Sequence, residues 1–178
     1  MEGITMTTLE KTTLDRQSQA MSGATSMMAL KVPWSVPKGF AQYLKPTPLC
    51  DFMAPSIQAK AVEIVGDAKT PQQAAMRIFT FVRDEIKFGL VYPIGETATM
   101  TLARSVGQCS AKANLQVALL RAAQIPARYH VVAVDRTSLR GLVPGPLYRL
   151  FTPSLWHPWA ECYLCLLYTS DAADEGHC

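Results

Sequence analysis

No stretch of this sequence approaches the roughly 18 consecutive apolar residues that a helix needs to cross a bilayer. The first thirty residues are rich in Thr, Ser, Met and Gln and carry Glu2, Glu10 and Asp15. They lack the apolar run of a secretory signal peptide. We therefore expect no membrane association and a cytoplasmic, reducing setting. Excess charge is missing as well. A net charge of +3 on 178 residues, with no Lys/Arg cluster interleaved with aromatics, argues against a nucleic-acid partner. A disulfide framework is not expected either, because the five cysteines are odd in number and irregularly spaced. There is no internal repeat.

What the sequence does have is a large apolar fraction. Hydrophobic residues make up 49% and charged residues 17%, enough for the core of one domain. Residues 1–35 read as a disordered or non-native leader, and residues 36–164 as the domain. Pro33, Pro37, Pro46 and Pro48 favour an extended lead-in over residues 31–50. Ile57, Ala61, Val62, Ile64 and Val65 predict a short helix that ends at Gly66. Thr70-Pro71-Gln72-Gln73 combines a capping residue, a proline suited to the first helical position and a glutamine three residues on. Behind it Ala75, Ile78, Phe79, Val82 and Ile86 recur at helical spacing, which predicts a helix over 71–87.

Residues 90–104 read as loop. Residues 109–123 predict an amphipathic helix with Ala111, Leu115, Ala118, Leu119 and Ala122 on its apolar face, closed by Ile125-Pro126. Residues 127–135 and 156–168 read as strands, separated by a Gly/Pro-rich loop over 141–153 that is the expected wall for substrate specificity. Helices first and strands after imply an α+β domain. The stretch from Cys165 to Glu175 resembles translated sequencing-adapter read-through. We therefore treat 165–178 as a non-native tail and expect the natural chain to continue differently beyond Leu164.

Two residues carry the chemistry. Cys109 follows Gly107-Gln108 at the start of the third helix, and His157 follows forty-eight residues later at the head of a strand. A free thiol has a pKa of roughly 8.5 and is mostly protonated at neutral pH. The positive end of a helix dipole and a neighbouring imidazolium both favour the thiolate. Gly107 lets the backbone turn tightly and approach a substrate. The backbone N–H of Cys109 precedes helical bonding and is free to donate to a developing oxyanion. His157 is the base that takes the thiol proton and returns it to a leaving amine. Trp159 shares its side of the strand by two-residue alternation and is placed to shield the pair. Taken singly, each residue has a plainer reading: a free cysteine is commonly an inert buried one, and a histidine at a strand end is commonly a polar surface residue.

Four pieces in order give residues 43–164 a resemblance to the transglutaminase-like superfamily of papain-fold cysteine enzymes. Tyr43-Leu44-Lys45-Pro46-Thr47 is similar to the lead-in of its bacterial members, and Thr70-Pro71 with Ile86-Lys87-Phe88 to the helix before the active site. Gly107-Gln108-Cys109 with Leu119 through Arg128 is similar to the nucleophile helix and its exit, and His157-Pro158-Trp159-Ala160-Glu161 to the histidine strand. The resemblance implies a papain-like core with the nucleophile helix packed on an antiparallel sheet. It also implies a Cys-His-Asp triad of Cys109 and His157 with an aspartate about fifteen residues on, and a thioester acyl-enzyme formed from a peptide or protein amide. No metal and no organic cofactor is implied. Asp171 stands at nearly the right distance for the acid, but the family's tryptophan motif does not surround it. Hydrolysis of the peptidase or amidase kind is the expected outcome, with amine acyl-transfer or a non-catalytic interaction module as alternatives.

Other residues invite a functional reading and are better explained by structure. Cys162 and Cys165 form a C-x-x-C with His177 and Cys178 downstream, but a strand points the first two to opposite faces, which argues against zinc. His130 reads as a satisfied histidine on a strand face, and Arg128 as the partner of a carboxylate or the cover of a sheet edge. Arg121 sits favourably at a helix C-terminus. Trp34 and Trp156 read as packing residues, although Trp156 is also placed to line a cleft. Cys50 has a structural reading.

Overall fold

The structure, a computed structural model, describes residues 30–90, 95–141, 143, 145–149, 151–164 and 167–169. The leader over 1–29, most of the tail, and Asp171, His177, Cys165 and Cys178 lie outside them. Among the described residues no helix is long and apolar enough to cross a membrane.

Helix α1 (Pro55–Val65) begins at Pro55, whose missing N–H costs nothing at a first helical position, and ends at Gly66 with φ 52°. Its inward residues Ile57, Ala61 and Val65 repeat every four positions. Helix α2 (Pro71–Asp84) is capped as the sequence implies. The Thr70 hydroxyl accepts from the Gln73 N–H at 3.2 Å, while the Gln73 side chain reaches back to the N–H of Lys69 at 2.8 Å. Arg77 on α2 ties the two helices together by donating to the Val65 carbonyl at 2.6 Å.

Three expectations need correction here. The proline-rich lead-in is not wholly extended, because Ala41–Leu44 forms a 3₁₀ turn. The stretch over 90–104 is not all loop. Strand β1 (Lys87–Phe88) precedes it, and helix α3 (Ala98–Arg104) closes it. Two turns of helix with β-branched residues at Thr99 and Thr101 carry little periodic signal. Tertiary bonds supply what propensity does not: the Asp51 carboxylate accepts from Thr99 N–H at 3.1 Å and the Leu49 carbonyl from Ala98 N–H at 3.0 Å. The Thr97 cap, which accepts from Met100 N–H at 3.3 Å, was the local clue. The second β-run is two strands, β4 (Ser154–Tyr163) and β5 (Leu167–Thr169). The second of these falls within the stretch read as a tail.

Strand β2 (Val106–Gly107) pairs in parallel with β1 and delivers the chain into α4 (Cys109–Ala122). This helix is not amphipathic. Every residue from Ala113 to Ala122 is buried, including Asn114, Gln116 and Arg121. It is the central element, packed by α1, α2 and α3 on its flanks and by β3 (Ala127–Asp135) and β4 on the sheet side. Strands β3, β4 and β5 form an antiparallel sheet in that order.

Gly107 admits this packing. A Cβ there would stand 2.8 Å from the Ala111 Cβ and 3.2 Å from the Thr101 Cγ2. The glycine thus serves close approach of α3 to α4 rather than a left-handed turn.

The exit of α4 is a Schellman closure. Gln124 adopts φ 58°, its N–H bonds to the Arg121 carbonyl at 3.0 Å, and the Ile125 N–H bonds to the Leu120 carbonyl at 2.9 Å. The Arg121 guanidinium locks the turn by donating twice to the Ala127 carbonyl, at 2.8 and 3.1 Å, and once to the carbonyl of Lys45.

Two stability outcomes follow. Gln124→Gly relieves a left-handed L-residue and is expected to raise unfolding free energy by about 0.5–1 kcal/mol in urea titration. Gly107→Ala is expected to lower it by about 1–3 kcal/mol, since neither neighbour is a flexible side-chain end.

Candidate active site

Cys109 is the first residue of α4 and is half-buried. The first turn of a helix leaves its N–H groups without intrahelical partners. Burial pushes the Cys109 thiol above its usual 9.0, while the backbone N–H groups of Ser110 and Cys109 itself pull the other way. Burial wins. Position at the helix end therefore does not by itself ionise this sulfur; it only moderates the cost of desolvation. Lys112, one turn on, does not supply the missing charge, since its ammonium is committed to the Ile86 carbonyl at 2.7 Å. The other described thiols are more deeply enclosed. Burial raises Cys50, and burial raises Cys162 to about 12.

His157 lies in β4 opposite Val132 of β3. Its height along the sheet can be judged from the chain itself. Ala122 ends α4 thirteen positions after Cys109, about 20 Å of helix. His157 is five positions back from Cys162, which pairs with Ala127 at the start of β3, about 17 Å of strand. Helix α4 turns tightly into β3 and packs against β3 and β4. The sulfur and the imidazole are not joined. The sheet residues turned to α4 are Ala127, Ala160 and Cys162, whereas strict pairing puts His157 on the alternate face with Trp159 and Glu161. Among the described residues, the one directional contact of His157 is with the Trp159 indole, at 5.9 Å between ring centroids and 53° between planes.

A buried polar group on the same strand is one the sequence only half revealed. Glu161 is 4% exposed. One of its oxygens accepts from Arg128 Nε at 2.6 Å and the other bonds His130 Nδ1 at 2.6 Å. Arg128 thus has the carboxylate expected for it, and His130 is satisfied as expected. His130 also lies flat on Trp159, with centroids 4.8 Å apart and planes 1° apart. Burial alone would raise the Glu161 carboxyl. The Arg128 and His130 bonds outweigh it and hold the group below 4.5.

Trp34 packs as expected and donates its indole N–H to Ala123 at 3.1 Å. Trp156 does not pack; it is 76% exposed. A cavity of about 440 Å³ lined by Phe40, Tyr43, Arg128, Glu161 and Tyr163 lies at the far end of the sheet, away from Cys109. Among the described residues no group of histidines, cysteines and carboxylates is arranged to hold a metal ion.

With this geometry in hand, the relationships are informative. The model of the transglutaminase-like superfamily matches residues 58–176, about two thirds of the chain, from within α1 through β5. The chain belongs to this superfamily. Among solved structures, this transglutaminase-like chain resembles a candidate cysteine protease from Cytophaga hutchinsonii, with TM-score 0.62 and 20% identity over 79% of this chain and 46% of that one. A candidate protease from Parabacteroides distasonis is more distant, with TM-score 0.48 and 11% identity over 75% of this chain and 25% of that one. At 20% identity the likeness to the Cytophaga hutchinsonii structure establishes the fold alone. The transglutaminase-like chain spans less than half the length of the first neighbour and a quarter of the second. A search of the curated proteins found no match.

The depressed Glu161 carboxyl makes a testable statement about acid stability. A carboxyl held below its unfolded value stabilises the fold fully above about pH 4.5, and that contribution is lost as pH falls through the lower folded value. Glu161→Gln is therefore expected to be less stable than the parent at pH 7. The gap should narrow as pH falls below 4.5, measured by thermal melts across pH 3–7.

Proposed function

We propose that this transglutaminase-like domain performs thiol-dependent amide-bond chemistry, with Cys109 as nucleophile and His157 as general base. The observation that carries the reading is the setting of Cys109. A half-buried thiol opens a helix that is otherwise enclosed, and backbone N–H groups face the sulfur. That is the position a nucleophile needs in a superfamily of this fold. The cysteine-protease description of the Cytophaga hutchinsonii neighbour supports hydrolysis of a peptide or amide over amine transfer.

In the reaction the Cys109 S–H proton passes to the His157 imidazole and the sulfur adds to the substrate carbonyl carbon. Backbone N–H groups of the first turn of α4 stabilise the resulting oxyanion. Collapse breaks the C–N bond, and the amine leaves with the proton from His157. Water then attacks the thioester, gives its proton to His157, and releases the acid as the thiol is restored. The resting thiol is protonated because burial raises it, so the base is required rather than auxiliary. A long hydrogen bond alone does not bridge this pair, because strict pairing puts His157 on the face of β4 turned from α4; the reading therefore requires that end of β4 to turn its imidazole toward the helix N-terminus.

The same burial, with the absence of a bond to His157, favours a second reading: a non-catalytic module that retains the fold. Iodoacetamide separates the two. On the first reading Cys109 is modified ahead of Cys50 and Cys162 at pH 6–7. His157→Ala slows that modification about tenfold. Equal rates in parent and variant would leave the non-catalytic module standing.

A further inference from the structure

A general base works only when its ring is held, and the described residues give His157 no carboxylate of its own. Glu161 shares its face, but four residues along a strand is about 13 Å, too far for a hydrogen bond. Between them lies a continuous set of rings. His130 and Trp159 are directly opposed across β3 and β4 and stacked flat at 4.8 Å. Trp159 then meets His157 two residues along the same face at 5.9 Å. The first ring is anchored. An ionised carboxylate only accepts, so His130 Nδ1 carries the proton it donates to Glu161 at 2.6 Å. The carboxylate in turn is fixed by Arg128 at 2.6 Å.

We propose that His130 and Trp159 are positioning residues for His157: the Glu161 carboxylate holds the His130 ring, that ring fixes the Trp159 indole, and the indole sets the orientation of the His157 imidazole. This rests on the Cys109–His157 reading above. The arrangement restrains the plane of the imidazole, one part of what a directly bonded acid would do. Aromatic stacks constrain plane and tilt, and the bonded tautomer stops the first ring from turning over.

The test is the pH profile of Cys109 alkylation in the full chain, compared across the parent, His157→Ala, His130→Ala and His130→Phe. His130→Ala is expected to lower the rate about threefold near pH 6.5, moving the profile toward that of His157→Ala, as loss of ring alignment requires. His130→Phe, which keeps a flat ring but loses the bond to Glu161, is expected to recover only part of it. If His157→Ala slows alkylation but His130→Ala superimposes on the parent, the positioning role is overturned and the Cys-His reading survives. If His157→Ala changes nothing, both fall. Should the His130 variants fail to fold, the parent carries the test by NMR. Nuclear Overhauser contacts between the Trp159 indole and the His157 ring, with a slowly exchanging His130 Nδ1–H, are expected; their joint absence overturns the proposal.

Discussion

The guanidinium of Arg121 is 5% exposed and spends its donors on the carbonyls of Ala127 and Lys45. A cation so far from water persists only where its hydrogen bonds are met. Here they are met by the chain leaving α4 and by the proline-rich lead-in. One side chain thus fastens the C-terminal end of the central helix to the first strand of the sheet and to the segment that wraps the core. With the Schellman closure at Gln124 it fixes how α4 lies against β3 and β4.

At the other end of α4 the governing constraint is steric. Gly107 leaves no room for a Cβ beside Ala111 and Thr101, so α3 closes on the first turn of α4 and half-buries the thiol. Two effects then compete at the sulfur. Desolvation favours the neutral thiol, and backbone N–H groups favour the anion. Desolvation is the larger. On the proposed reading the thiol is held in reserve and relies on a base to release it, which places the functional weight on how the imidazole is held. On the sheet, a pinned carboxylate and stacked rings supply rigidity at the strand that carries it.

Much of this was legible in the residues. Thr70-Pro71 with Gln73 announced α2, Ile125-Pro126 announced the end of α4, and the alternating valines announced β3. Cys109 and His157 stood out through their flanking residues. What was not legible depended on contacts distant in sequence. Helix α3 has too few turns and too little apolar period to signal itself, and it is held by Asp51 and Leu49 from another part of the chain. The all-round burial of α4 was hidden because alanines, Asn114 and Gln116 read as a polar face until three helices are laid against them. Glu161 was an unremarked residue of the histidine strand until pairing set it opposite Arg128 and diagonal to His130.

The amino-acid order by itself determined the local elements and the chemical types at the site, because caps, periodicity and turn residues act over a few positions of chain. Tertiary structure alone decided which carboxylate meets which base, how far the Cys109 thiol is withdrawn from water, and which face of β4 carries His157. Each of those depends on strand register and helix packing, where a shift of one residue turns every side chain to the other face, and no short stretch of sequence encodes that choice.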